Sequence, residues 1–357
     1  MGEPHRVGIV GLGVISKQYL ETLRSHTGVR IVAAADLDPA RAEAVAAGID
    51  GCRAMSLEEL TANPSVDTVL NLTIPAAHAD VALAALAQGK NVYGEKPLAA
   101  TFADAERVMA AAGSAWVGGA PDTVLGTGIQ TARRIADEGG IGRPVAATAT
   151  WVSAGHERWH PQPDFYYRDG GGPLLDMGPY YLTSLFHLLG PVVRVTGASS
   201  RPRETRVIGS GPREGERIPV EIDTHVTGSL EHAGGAVSTV TFSFDGTATE
   251  AAPIEVHGET ASLSVPDPNG FDGDVRVFRT GSSAWALVAP SAGYEKASRG
   301  IGLIDFARGH GRASGPIALH VQEIMTKLMQ SAEEGRRIDL TTTAERPSLV
   351  PLSPGRE

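Results

Sequence analysis

The chain has 357 residues, long enough for two domains with buried cores. With 42% hydrophobic and 20% charged residues it reads as globular rather than disordered, fibrous or disulfide-stapled, and its apolar runs are too short and too broken by glycine and charge to cross a bilayer. The balance of 31 basic against 41 acidic side chains, a net charge of −10, repels a phosphate backbone and sets nucleic acid aside as the main partner.

Val7 to Val10 reads as a short β-branched strand, followed by Gly11, Gly13 and a helical stretch to about Arg24. A second strand, Val29 to Ala35, ends at Asp36, and the alanine-rich stretch Pro39 to Ala47 reads as a helix. Strands at Thr68 to Thr73 and Asn91 to Tyr93 flank a helix from about Ala79 to Gln88, and a last strand lies near Trp116 to Ala120. Strands alternating with helices predict a doubly wound parallel sheet of the α/β class. After about Ala120 the pattern changes. A helix at Gly126 to Asp137, a strand at Val145 to Val152, an aromatic loop and a helix at Leu174 to Leu189 precede alternating strands at Val226 to Leu230, Ala236 to Phe244, Ile254 to His257 and Ala261 to Val265, with Gly258 in a hairpin. This predicts an α+β domain over residues 123–357, with an open, mainly antiparallel sheet, after an α/β domain over 1–122. The last amphipathic helix is expected at Ile317 to Glu333, and the tail after Pro347 is expected to have little to pack.

Cys52 is the only cysteine, so no internal disulfide or cysteine-rich metal knuckle can form, and a reducing cytoplasm is expected. The stretch Met1 to Arg6 is too short for the charged and apolar regions of a leader, so no signal peptide is expected.

Gly11-Leu12-Gly13-Val14-Ile15-Ser16 lies between a strand and a helix, the setting in which a GxGxxG-like spacing carries meaning. Gly11 permits the tight turn, Gly13 lets the backbone approach a pyrophosphate, and Ser16 is small enough for helix and strand to pack closely. Asp36, about 20 residues on, is placed to accept hydrogen bonds from a ribose diol and to repel a 2′-phosphate. NAD is therefore expected, with NADP left open because Arg41 is near. The plainer alternative is a tight strand-to-helix turn with no ligand.

With that turn, Asn71-Leu72-Thr73-Ile74-Pro75 with His78, Gly94-Glu95-Lys96-Pro97, and the run from Gly170 through Asp176 to Tyr180, the chain resembles the Gfo/Idh/MocA oxidoreductases over nearly its whole length. The resemblance implies a Rossmann domain, a second domain whose open sheet often serves oligomerisation, and reversible NAD(P)-dependent oxidation of hydroxyl groups on sugars or cyclitols. It implies cofactor contacts at Gly11, Gly13, Val14, Ile15, Asp36, Thr73, Pro75, His78, Glu95 and Lys96. It also implies catalytic roles for Lys96, for Asp176 as the carboxylate that orients the reacting hydroxyl, and for Tyr180. Tyr180 departs from the histidine most members carry there, as some members do, and two readings stand: an acid/base phenol or a packing ring.

His156-Glu157-Arg158-Trp159-His160 matches the spacing of a zinc-protease helix. Gly155 before it, with Pro161 and Pro163 after it, leaves room for barely one helical turn, and no metal is expected. The richer reading is a substrate loop. Trp151, Trp159, Phe165, Tyr166 and Tyr167 interleave with His156, His160 and Asp164, a mixture suited to the C–H faces and hydroxyls of a polyol; a packing cluster between domains is the alternative. Expected substrate contacts are Asp122, His156, Trp159, His160, Tyr166 and Asp176, although Asp122 reads equally as a helix cap.

The expected activity is hydride transfer between a secondary hydroxyl or ketone of a sugar, glycoside or cyclitol and a nicotinamide. The alternatives are a glycosidase-like elimination using held NAD, or an inert NAD-binding sensor. A homo-oligomer, dimer or tetramer, is expected, with neither nucleic acid nor membrane as partner.

Overall fold

A computed structural model describes residues 3–355. Met1 and Gly2, where the stretch read for a leader begins, lie outside the described residues, as do Arg356 and Glu357. The chain divides into two units. The first takes the chain up to Thr127, Ala292–Gln322 and the segment from Pro347 on; the second takes Gly128–Ser291 and Glu323–Arg346. Residues 292–322 and the tail thus join the first unit, where the contiguous reading placed them in the second domain.

The first unit opens with β1 (His5–Val10), α1 (Ser16–Arg24), β2 (Val29–Ala35) and α2 (Pro39–Ala47), and continues with β3 (Arg53–Ala54), α3 (Leu57–Ala62), β4 (Thr68–Asn71), α4 (Pro75–Ala87), β5 (Asn91–Gly94), α5 (Phe102–Ala111) and β6 (Val117–Gly119). The six strands are all parallel, in the order β3-β2-β1-β4-β5-β6. Chain order reverses between β1 and β4, and the carboxyl ends of the strands beside such a reversal are where open α/β sheets bind ligands. Buried runs such as Ala33 to Ala35 and Val69-Leu70 follow from a sheet whose central strands are covered. Local chemistry starts the helices. Asp38 accepts from the Ala40 N–H with Pro39 in the first turn of α2, and α4 begins at Pro75 rather than Ala79, since the fixed φ of proline suits a first helical position. The sequence reading passed over β3, α3 and α5, although Ser56 and Glu59 form a reciprocal capping box at α3.

The second unit begins one residue into α6 (Thr127–Asp137) and continues with β7 (Pro144–Val152) and α7 (Pro173–Leu189), followed by β8 (Val192–Ser200), β9 (Thr205–Val207), β10 (Arg217–Pro219), β11 (His225–His232), β12 (Val237–Ser243), β13 (Ile254–Gly258), β14 (Ala261–Val265), β15 (Val275–Arg279) and β16 (Ala286–Val288). The chain ends through β17 (Tyr294–Glu295), α8 (Ile301–Ala307), α9 (Gly315–Glu334), β18 (Ile338–Asp339) and β19 (Ser353–Pro354). Nine strands form one sheet, β16-β15-β14-β13-β7-β12-β11-β8-β18. Its pairings are antiparallel apart from β7 with β12. Helix α7 is buried along most of its length, and Gly178 lets Met325 approach, since a Cβ there would lie 3.1 Å from the Met325 sulfur.

The tail does pack, contrary to expectation. Val350 is fully buried, its carbonyl accepts the Gly293 N–H at 2.9 Å, and β19 pairs in parallel with β17. One buried valine between prolines leaves no periodic trace in the sequence.

Candidate active site

In the first unit the turn after β1 is built around two glycines with different duties. Gly11 has φ +89° and its missing Cβ would strike the Leu72 and Thr73 backbone at 2.7 Å, so only glycine lets this turn lie against the loop after β4. A Cβ on Gly13 would meet nothing within 4 Å, which leaves that face of the turn open for a bulky group to approach the backbone. Ser16 is buried and its hydroxyl donates to the Gly13 carbonyl at 2.7 Å.

Asp36, at the end of β2, accepts from the Leu12 N–H at 2.7 Å, from the Asp38 N–H at 3.0 Å and from Arg41 at 3.2 Å. Burial opposes its ionisation, but the two backbone donors and Arg41 outweigh burial and hold the carboxyl below its usual range. Val14, Leu37 and Ile74 are the three most exposed large apolar side chains among the described residues. All three sit just past the carboxyl ends of β1, β2 and β4. The sequence reading missed Leu37 and Ile74; their signal was an apolar residue in a loop directly after Asp36 and after Thr73.

The loops after β4 and β5 are tied together. The Asn71 side chain donates to the His78 carbonyl at 2.9 Å and accepts from the Thr73 hydroxyl at 2.6 Å, while Glu95 accepts from the Tyr19 hydroxyl at 2.7 Å and from the Lys96 N–H at 3.1 Å. His78 is buried, with Nδ1 2.7 Å from the Pro97 carbonyl and Nε2 3.0 Å from the Thr73 carbonyl. Both ring nitrogens thus lie against protein carbonyls, and His78 ties the Thr73 loop to the Lys96-Pro97 turn. Lys96 follows β5, two strands from the Gly11 turn, so about 10 Å along the same sheet edge separates them.

Asp122, which reads equally as a substrate contact and a helix cap, sits at a helix start. It is fully buried, and its Oδ2 accepts from the Gly300 N–H at 2.8 Å and the Gly302 N–H at 3.0 Å, where α8 begins. Burial raises its carboxyl above the usual range in spite of these donors. It caps the start of α8 within the first unit. The contact partner lies 178 residues away in sequence, beyond the reach of local pattern.

In the second unit the aromatic loop forms two short 3-10 turns, His156–Arg158 and Asp164–Tyr167. The two histidines of the zinc-like spacing go separate ways. His156 Nε2 lies 2.9 Å from Asp176 Oδ2, whereas His160 Nδ1 accepts the Gln162 N–H at 3.1 Å. Glu157 is buried, accepting from the Tyr167 hydroxyl and from Arg206 at 3.2 Å, and Arg206 reaches on to Asp245 at 2.6 Å. Asp164 pairs with Arg213 at 2.6 Å. The rings of Trp151, Trp159, Tyr166 and Phe244 surround His156, while Tyr167 joins Ile208, Ile218, Val220 and Phe244 in a core cluster. Trp159 and Phe165 remain more than half exposed, so part of the aromatic loop packs and part faces outward. Asp176 lies in the first turn of α7, and Tyr180, one turn on, is buried.

The first unit is thus a doubly wound parallel sheet with a glycine turn and an anchored acid, and the second a mixed sheet carrying a histidine, a carboxylate and an aromatic loop. The family described as an oxidoreductase family with an NAD-binding Rossmann fold matches residues 5–117, and the GFO/IDH/MocA C-terminal domain matches residues 129–264. The chain belongs to the GFO/IDH/MocA oxidoreductase family. It is 37% identical to inositol 2-dehydrogenase 3 of Saccharopolyspora erythraea over 147 residues, covering 40% of this chain and 43% of that protein. It is 29% identical to 1,5-anhydro-D-fructose reductase of Ensifer adhaerens over 273 residues, covering 72% of this chain and 75% of that one. The first match thus spans under half of its relative's length. In fold it is similar to an NAD binding oxidoreductase from Klebsiella pneumoniae (TM-score 0.82, 22% identity, covering 96% of this chain and 100% of that one). It is likewise similar to a levoglucosan dehydrogenase in complex with NADH and L-sorbose (TM-score 0.79, 20% identity, covering 96% and 100%).

Proposed function

We propose that the chain is an NAD-dependent dehydrogenase or reductase that acts on a secondary hydroxyl or ketone of a neutral sugar, glycoside or cyclitol. The observation that carries the reading is the open backbone face at Gly13 beside the anchored Asp36, on the sheet edge from which Lys96 emerges. The names of the relatives above, an inositol dehydrogenase and an anhydrofructose reductase, support the substrate class.

The residues fit a dinucleotide. The Gly11–Ile15 turn would receive the pyrophosphate, Asp36 a ribose diol, and Leu37 and Ile74 the flat faces of a base. When bound, the nicotinamide supplies the hydride acceptor or donor. The first unit contributes Lys96, whose amine takes or returns the hydroxyl proton. Asp176 orients a substrate hydroxyl, Tyr180 serves as an acid/base, and Trp159 with Tyr166 and His160 offers apolar faces and polar edges to a polyol. The reading includes a homo-oligomer in a reducing cytoplasm, supported by the single cysteine and by the exposed Leu287 on the edge strand β16.

A panel of inositols, sugars and glycosides with NAD and NADP, followed by the absorbance of the reduced cofactor, tests the proposal. Turnover of at least one polyol is expected. Release of an aglycone with no net reduced cofactor would point to elimination instead, and cofactor binding with no turnover across the panel would point to a sensor.

A further inference from the structure

His156 and Asp176 come from different elements, 20 residues apart, yet their side chains meet at 2.9 Å. The imidazole is buried, with Trp151, Trp159, Tyr166 and Phe244 at ring-centroid distances of 5.7, 5.0, 4.5 and 4.8 Å. Its Nδ1 is buried and has no hydrogen-bond partner among the described residues. A proton on Nδ1 would be an orphaned donor in an apolar box, whereas a proton on Nε2 points at a carboxylate oxygen. An unmet lone pair is the cheaper of the two.

The backbone around His156 is held as firmly as the ring. Glu157 is locked by Tyr167 and by the Arg206–Asp245 pair, and Gly155 has φ +103°, where a Cβ would lie 2.1 Å from Glu157 Oε2. A buried ion network beneath an aromatic loop costs desolvation, and what it fixes here is the position of one imidazole.

We propose that His156 is the positioning residue for Asp176. It is held as the neutral Nε2–H tautomer and fixes the plane of the carboxylate that receives a hydroxyl of a neutral polyol. This rests on the oxidoreductase reading for the identity of that hydroxyl, but the tautomer does not. The titratable groups in contact with the ring are Asp176 from α7 and Tyr166 from the second 3-10 turn; its other ring neighbours are Trp151, Trp159 and Phe244.

Two measurements test it on the full chain. Nitrogen NMR of histidine-labelled protein should show His156 as the Nε2–H tautomer at neutral pH, with that signal altered in Asp176→Asn; an Nδ1–H tautomer or an imidazolium would overturn the proposal. In turnover, His156→Leu should lower kcat about 10–10²-fold with the KM for NAD unchanged, the usual cost of misplacing a reacting group, and His156→Gln, whose amide keeps a donor at similar reach, should recover most of that loss. Leu performing as well as Gln would make the ring a packing element and overturn the positioning role. Equal losses of 10³-fold or more in both variants would give the imidazole the proton transfer itself, which also overturns it. Absence of turnover in the parent protein on every polyol would defeat the oxidoreductase reading, while the tautomer would still decide this pair.

Discussion

The backbone N–H of Leu12 donates to the Asp36 carboxylate across 2.7 Å, so the glycine turn after β1 and the acid at the end of β2 are one construction. Arg41 closes on the other carboxylate oxygen at 3.2 Å. The acid therefore shapes the turn and also neutralises the nearest guanidinium.

Removing the acid should change cofactor choice in a defined direction. Asp36→Ala deletes the ribose acceptor and releases Arg41 for a 2′-phosphate, so NAD should weaken by on the order of 1–3 kcal/mol and NADP should gain. Titration of both cofactors against the parent and the variant checks this; adding Arg41→Ala should erase the NADP gain. An unchanged preference would remove Asp36 from the cofactor site.

Lys96 and Tyr180 carry the proposed proton transfer. Lys96→Met and Tyr180→Phe should each lower kcat by roughly 10²–10⁴, with the affinity for NAD little changed. Tyr180 is buried in α7, so the phenylalanine keeps the ring packing and removes only the hydroxyl. Near-normal turnover in Tyr180→Phe would assign the tyrosine to packing and leave the proton to Lys96 with Asp176.

Asp122 makes a stability prediction instead. Asp122→Ala orphans the Gly300 and Gly302 donors in a fully buried setting and should cost about 2–4 kcal/mol in urea denaturation. Asp122→Asn keeps an acceptor without burying charge and should fall within about 1 kcal/mol of the parent. A raised KM for the polyol in the asparagine variant would instead return Asp122 to the substrate site.

His187, on α7, is buried, and its imidazole is pushed down to about 3 by burial and by Arg133 and Arg346. The unfolded chain protonates this histidine near 6.5, so between these values the unfolded state binds the extra proton. Its contribution is fully present above about pH 6.5 and declines as pH falls toward 3, by on the order of 4–5 kcal/mol in total. Denaturation midpoints measured across that window should show the decline, and His187→Gln should flatten it. An identical acid slope in both proteins would remove His187 from the account.

The elements of the first unit were largely legible because their causes are local. Strand β2 and helix α2 fall where the apolar run, Asp38 and Pro39 put them, and Gly11, Gly13 and Asp36 announce the dinucleotide turn through conformational freedom, space and charge. Helices α3 and α5 escaped notice because their capping residues, Ser56 and Thr101, were not weighed against weak periodicity.

What an isolated segment determines is its period, its caps and its turn residues, and from those follow strands, helices and the class of each unit. Which groups meet is decided only when the chain closes on itself. Gly155 and the prolines around His156 and His160 already rule out a metal-binding helix, but where each imidazole goes, one to Asp176 and the other to the Gln162 backbone, no local pattern states. Asp122 offered a carboxylate to any site, and the distant start of α8 claimed it. β7 and β12 pair in parallel inside an otherwise antiparallel sheet, and Val350 finds a core its own neighbours cannot predict. The reason is the same in each case. Hydrogen-bond partners and burial depend on which surfaces tertiary packing brings together, and a residue's sequence neighbours carry no record of a partner dozens or hundreds of positions away.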